Sequence, residues 1–378
     1  MNEKIWLSSP HMGGSERKFV TEAFDTNWVA PLGPNVDNFE KDIASFIDGG
    51  SLVSALSSGT AAIHLALIIL GVEAGDEVIC QSMTFSASAN PIRYLGAIPI
   101  FIDSEHDTWN MDPQLLEEAI KDRIAKGKKP KAIIPVHLYG MPAKMQEVMA
   151  IADKYEIPVV EDAAEALGSD INGKKCGTFG EIGILSFNGN KIITTSGGGA
   201  LVSGNEDYIK KATFLSTQAR DAAPHYQHSQ IGYNYRMSNI CAGIGRGQME
   251  VLLQRVEQRR SNFSFYKEGL KNIEGISMLQ EPDDFKSNRW LTTILGNPKK
   301  TGGITREDIR LYLEKDNIES RPLWKPMHMQ PVFEKYPYYG GGVSEELFDM
   351  GLCLPSGSNL TQMELERVLQ KIKDVFNT

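Results

Sequence analysis

Between residues 51 and 202 the chain alternates short, almost wholly apolar runs with longer stretches whose apolar residues recur every three to four positions. SLVSALSS, EVICQ, IPIFID, AIIPVHLYG, IPVVED and IGILSF read as strands. TAAIHLALIILG, SASANPIRYLG, PQLLEEAIKDRIAKG and AKMQEVMAIADKYE read as the helices between them. KAIIPVHL and IPVVED lack polar alternation, the pattern of strands covered by helices on both faces. Strands and helices in turn predict an α/β fold with a large, mostly parallel sheet. A charged helical pattern over residues 248–268 leads out of this region. Beyond it SNRWLTTIL and NIESRPLW read as strands, and TREDIRLYLEK and TQMELERVLQKIKDVF as helices. The expected organisation is an N-terminal segment plus large domain over residues 1–254 and a smaller C-terminal α/β domain over 255–378. The 378 residues are more than one core usually supports.

Ligands of parallel sheets gather at the carboxyl ends of the strands. That rule singles out residues 57–60, 81–85, 137–139, 161–165 and 186–191. Lys191, in SFNGNKIITTSGGGALVS, is a single cation on an expected polar hairpin between two apolar strands. Gly197, Gly198 and Gly199 follow it, and glycine permits positive φ and close backbone approach. A desolvated lysine can be neutral and form a Schiff base with an aldehyde. Pyridoxal phosphate would need three more groups: a carboxylate for its ring nitrogen, a phosphate cradle and a stacking partner. Asp162, closing IPVVED, offers the first. Ser57-Ser58-Gly59-Thr60, between a strand and a helix, offers the second. Phe85 offers the third. Singly, each has a plainer reading: a surface charge for Lys191, a helix cap for Asp162 and for the Ser-Gly-Thr turn, a core ring for Phe85. Their order along one sheet edge favours the chemistry.

The composition is that of an ordinary globular protein, 41% hydrophobic and 23% charged. A net charge of -9 argues against nucleic acid as a partner. Cys80, Cys176, Cys241 and Cys353 are scattered, so reduced thiols are expected, with neither disulfides nor a metal site. Residues 1–7 offer no apolar signal core, and the longest apolar stretch, residues 61–72, is too short to span a bilayer. A soluble, cytoplasmic protein with no membrane partner is expected.

SSGTAAIHLAL, EDAAEALGS, SFNGNKIITTSGGGALVS and GYNYRMSN together resemble the DegT/StrS-type sugar-nucleotide aminotransferases over nearly the whole chain. The resemblance implies the aspartate aminotransferase fold (fold type I) and pyridoxal 5'-phosphate as cofactor. It implies Lys191 as the Schiff-base lysine and Asp162 as the ring-nitrogen partner. Ser58, Gly59, Thr60 and Ser186 would hold the phosphate, with Phe85 on the ring. Asn234, in GYNYRM, would reach the phosphate of a neighbouring subunit, making a homodimer with shared sites. Glu165 stands where many relatives carry Gln or His near the ring hydroxyl, a departure that leaves its role open.

SSPHMGGSE, NWVAPLGP, FLSTQAR, SNRWL, RPLWKPMHMQ and LCLPSG are similar to one branch of the family, which aminates UDP-4-keto-6-deoxy-N-acetylglucosamine on the route to UDP-N-acetylbacillosamine. Glutamate would be the amino donor and the UDP-sugar the acceptor. Asn27 and Trp28 would belong to the sugar pocket. Arg236, Arg289, Arg321, Lys325 and His328 are candidates for the diphosphate, with Trp324 beside it, although each cation fits a surface ion pair as well. Amination of another keto-sugar, at the 3-position or on dTDP, a pyridoxal phosphate dehydratase and a cofactor-binding sensor without turnover are the rival functions.

Overall fold

The computed structural model describes residues 2–376. The apolar runs pair side by side in the order Leu52–Leu56, Gly199–Ser203, Ile182–Ser186, Val160–Asp162, then Ala132–Ile134, Glu77–Gln81, Ile98–Ile102, Tyr338–Tyr339. Two parallel bridges, Ile133 to Val159 and Val136 to Asp162, join the two groups of four into one sheet. Every neighbouring pair is parallel except those made by Gly199–Ser203, which runs against both its neighbours.

Successive side chains on these strands enter different cores. Val78 and Cys80 join one cluster with Phe101 and Ile184, while Ile79 joins another with Ile100 and Ile133. Both sheet faces are therefore covered, which is why the strands carry no polar stripe. The helix Gly59–Ile69 is buried over nearly all its length, from Gly59 to Leu67. It packs into the first of those clusters, where a polar face would find no water.

The C-terminal part forms a separate sheet in the order Ile276–Met278, Thr292–Gly296, Gly351–Leu354, Arg321–Pro322, antiparallel throughout. The helices Arg306–Lys315 and Gln362–Val375 cover it, each opened by a reciprocal capping box, Thr305 with Asp308 and Thr361 with Glu364. NIESRPLW yields only the two-residue edge strand Arg321–Pro322, since Pro322 has no amide to donate and is tolerated at an edge. The helical pattern at 248–268 is two helices, Asn239–Met249 and Leu252–Leu270. Two pieces of chain cross the boundary expected at 254/255. Ile5 packs with Tyr266, Ile294 and Ile318 in the C-terminal core, and Tyr338–Tyr339 extends the large sheet. Among the described residues no helix is long and apolar enough to cross a membrane.

Candidate active site

A cavity of about 350 Å³ opens at the carboxyl ends of the large sheet. It is bounded by the turn 57–60, the 84–88 segment, Asp162 to Glu165, Ser186, and the loop that carries Lys191. Trp290 and Trp324 reach it from the C-terminal part.

Residues 187–198 connect the antiparallel strands Ile182–Ser186 and Gly199–Ser203, and the connection differs from a polar hairpin. Ile192, Ile193, Thr194 and Thr195 are buried, and the Lys191 side chain is only 12% exposed. Its Nζ lies 3.4 Å from Glu165 Oε1 and 4.0 Å from the centre of the Trp290 ring. None of Gly197, Gly198 and Gly199 adopts positive φ; the left-handed residue here is Ser196, at φ 74°. Gly198 and Gly199 serve close approach instead. A Cβ on Gly199 would sit 2.3 Å from the Gly59 nitrogen and the Ser58 carbonyl carbon, and one on Gly198 would sit 2.2 Å from Thr195 Oγ1.

That contact seats the lysine loop directly against the start of helix Gly59–Ile69. Ser58 caps this helix, its Oγ accepting from the Ala61 amide at 3.0 Å. Gly59 is more mildly constrained, since a Cβ there would lie 3.3 Å from that of Ser186. The helix N-terminus, with its unpaired amides and positive dipole end, is suited to an anion.

On the cavity floor Asp162 is 3% exposed. Its Oδ2 accepts from Ser88 Oγ at 2.7 Å and its Oδ1 from the Ala164 amide at 3.1 Å, so the carboxylate is fixed in orientation. Ser88 is in turn within 2.7 Å of Thr84 Oγ1. Glu165 Oε2 accepts from the Tyr139 amide at 2.7 Å. Burial raises the Glu165 pKa above the usual carboxylate value, although the nearby Lys191 ammonium pulls the other way. Phe85 is 53% exposed at the cavity mouth, its ring centre 5.5 Å from that of Trp324.

The structure thus brings together Ser58, Gly59, Thr60, Phe85, Asp162, Glu165, Ser186, Lys191 and Trp324 around one cavity. Other expected residues stand elsewhere. Arg236 bonds Glu40 and the Ala55 carbonyl, its guanidinium spent on holding strand to helix. Arg289 is buried, donates to the Leu279 carbonyl and lies over Phe263. Arg321 pairs with Glu319 on an exposed edge. His328 is held between Ser82 and Glu345 and stacks on Tyr338. Lys325, Asn27 and Trp28 do not line the cavity, and Asn234 is exposed, bridged to Thr217. Ser88 and Trp290 line the cavity without having been singled out, and Asn188 and Asn190, within the 186–191 strand end, line it without an assigned role. SNRWL placed Trp290 beside a cation, but only the chain's long return from the C-terminal part sets it under Lys191.

Three buried groups elsewhere, His137, Glu161 and Cys176, are close enough together to hold a metal. Glu161 is already saturated: it accepts from His137 Nε2 and from the amides of Gly177, Phe179 and Gly180. His137 Nδ1 accepts from the Ala143 amide. This is a buried pin for the 177–180 turn, with no free lone pair on the histidine.

A lysine against a carboxylate, a second buried carboxylate on the floor and a helix N-terminus at one end fit a phosphorylated pyridine aldehyde. The close-packed Gly59 and Gly199 leave the phosphate end free of side-chain bulk. A sheet of this topology with such a site is that of a pyridoxal phosphate enzyme of fold type I. Comparison with known proteins agrees. The model of the DegT/DnrJ/EryC1/StrS aminotransferase family matches residues 10–373. EpsN of Bacillus subtilis, described as a pyridoxal phosphate-dependent aminotransferase, is 53% identical over 100% of this chain and 97% of its own. The GDP-perosamine synthase of Escherichia coli O157:H7 is 35% identical over 99% of both chains. Spr1654 of Streptococcus pneumoniae, described as a sugar aminotransferase and solved in PMP and PLP forms, superposes in the PMP form with a TM-score of 0.90 at 26% identity, over 99% of this chain and 98% of its own. The chain belongs to the DegT/DnrJ/EryC1/StrS aminotransferase family and is a pyridoxal phosphate-dependent sugar aminotransferase.

Proposed function

We propose that this enzyme moves an amino group from glutamate to UDP-4-keto-6-deoxy-N-acetylglucosamine, giving the 4-amino sugar for glycan synthesis in the cytoplasm. The observation that carries the reading is the convergence of Lys191, Asp162 and the N-terminus of helix Gly59–Ile69 on one cavity. Bound there, pyridoxal phosphate supplies an electron sink and a carbon that accepts amines in turn. Lys191 would hold the cofactor at rest. Once displaced by the donor, its Nζ would take the proton from the donor's α-carbon and later deliver one to the sugar carbon that becomes aminated. Asp162, fixed by Ser88, would keep the ring-nitrogen proton in place. Ser58, Gly59, Thr60 and Ser186 would hold the phosphate. Phe85 and Trp324 at the mouth would offer flat apolar faces to ring and sugar.

A second copy of the chain would complete the site. Phe24, Trp28, Val29 and Leu32 form a run that is 39–61% exposed, and Asn234 is exposed too. Apolar surface left open in this way favours association. The exposure of this run and of Asn234 supports an arrangement in which a dimer would bury the run and Asn234 would reach the partner's cavity.

The 35% identity to GDP-perosamine synthases supports a second acceptor, a GDP-linked keto-sugar. Purified protein, glutamate and a panel of UDP-, GDP- and dTDP-4-keto-sugars separate the two, with the amine position read by NMR. The UDP sugar should lead by at least about tenfold in kcat/KM, the size of one lost buried pairing. A GDP preference, or amination at the 3-position, would overturn the substrate while leaving the aminotransferase intact.

A further inference from the structure

Lys191 must spend part of each cycle unbonded, and a free flexible amine near a reactive ring needs somewhere to rest. The cavity wall contains such a place. The Nζ stands 4.0 Å from the centre of the Trp290 ring and 3.4 Å from Glu165 Oε1. Trp290 is held at its backbone and at its indole N–H. Trp290 is 1% exposed, and its amide donates to Asn288 Oδ1 at 2.9 Å. Its carbonyl accepts from Arg259 Nη1 at 2.5 Å. Its indole Nε1 donates to the Asn190 carbonyl at 2.7 Å, one residue before the lysine. The same carbonyl accepts from Ser8 Oγ, which Arg259 Nη2 also reaches. Asn288 meanwhile donates to the carbonyls of Glu165 and Leu167, so both partners of the ammonium are tied to one short segment, 288–290.

We infer that Trp290 is a positioning residue whose ring face, with Glu165, forms a resting site for the Lys191 ammonium whenever the lysine is not bonded to the cofactor. A negative ring face attracts a cation held over it, and more strongly where water is excluded. The indole N–H also bonds the Asn190 carbonyl beside the lysine, but it is the ring face that holds the ammonium. The inference rests on Lys191 being the cofactor lysine, which is tested separately below.

The experiment uses full-length enzyme loaded with pyridoxamine phosphate, in which the lysine is free. Pulse acetylation with acetic anhydride and peptide mass mapping reads the modification of Lys191. Lys144, paired with Glu105 and Asp107, serves as the internal folding reference. Trp290→Met should raise the acetylation rate of Lys191 by at least about fivefold with Lys144 unchanged, and Trp290→Phe by less than about twofold. In turnover Trp290→Met should lower kcat at least about tenfold with KM for glutamate little changed, and Trp290→Phe should restore most of it. Should Trp290→Met misfold, seen as loss of Lys144 protection, fluorinated tryptophan incorporated at all five positions keeps the shape and N–H while weakening the ring face. Lys191 acetylation should rise there as well. Unchanged acetylation in Trp290→Met, or in the fluorinated protein where that variant misfolds, would overturn the resting site, as would a Trp290→Phe as reactive as Trp290→Met. Borohydride reduction of the holoenzyme distinguishes the two claims. A label on a lysine other than Lys191 sinks the cofactor assignment, whereas a label on Lys191 with no effect of Trp290 sinks only the resting site.

Discussion

The two ends of the cavity are built differently. At the phosphate end, strand meets helix with no room to spare: Gly199 lies against Ser58 and Gly59, Ser58 caps the helix, and Asp162 is pinned by Ser88. At the mouth, Phe85 is half exposed, Trp324 packs against it, and neither Lys325 nor Asn234 reaches inward. The first end is closely packed; the second is open. The contrast teaches that fixed chemistry is set by packing within the large sheet, while the open end leaves substrate contacts to loops, where change costs little stability.

The most severe break of the closed end is Lys191→Ala. Transamination should fall at least about a thousandfold, since base and attachment point are lost together. Cofactor should still bind, held by the phosphate end, and equilibrium dialysis against pyridoxal phosphate checks this. Borohydride should then fix no label. Asp162→Asn comes next. An amide cannot hold the ring-nitrogen proton by charge, and a loss of about a hundredfold in kcat is expected with cofactor still bound. Single-turnover kinetics with glutamate measure it.

The open end is sharpened by complementation. Lys191→Ala and Asn234→Ala, each inactive, should recover about a quarter of wild-type activity when co-refolded in equal amounts, because half the dimers carry one intact shared site of two. An active monomer by light scattering would remove the basis for shared sites. Smaller again is Gly199→Ala. The added Cβ meets backbone atoms that cannot rotate away, so a loss of about 1–3 kcal/mol and weaker cofactor binding are expected, read by thermal unfolding with and without cofactor.

The smallest effect concerns Glu165. Its pKa is raised in the folded state by burial, so the folded protein holds that proton to higher pH than the unfolded chain does. The stability tied to the protonated carboxyl is therefore present below the ordinary value of 4.5 and lost as pH rises through the raised one. Glu165→Gln should match the wild type in acid and be more stable near neutral pH in the cofactor-free protein. Urea melts at several pH values show whether the difference grows in that direction.

Much of this was legible in the linear chain. Continuous apolar runs located the strands Leu52–Leu56, Glu77–Gln81, Ile98–Ile102 and Ile182–Ser186, and the α-periodic stretches located Pro113–Ala125 and Met145–Tyr155, because burial on two faces or on one imposes those patterns directly. Strand-end placement found Asp162, Lys191 and the 57–60 turn, since each follows the carboxyl end of a strand whatever the order of the strands in the sheet. Only the folded molecule decided that Gly199–Ser203, expected to hairpin with Ile182–Ser186, also pairs antiparallel with Leu52–Leu56, because an apolar run does not name its second neighbour. It also decided that Gly198 and Gly199 are small for their neighbours' sake and that SASANPIRYLG is a helix only over Asn90–Tyr94. Arg236 meets Glu40, a partner 196 positions away. Trp290 meets Lys191, 99 residues before it in the chain. Local pattern records which side of an element is buried; it carries no record of which distant side chain arrives on the other side, and that arrival sets the chemistry of every charged group in the cavity.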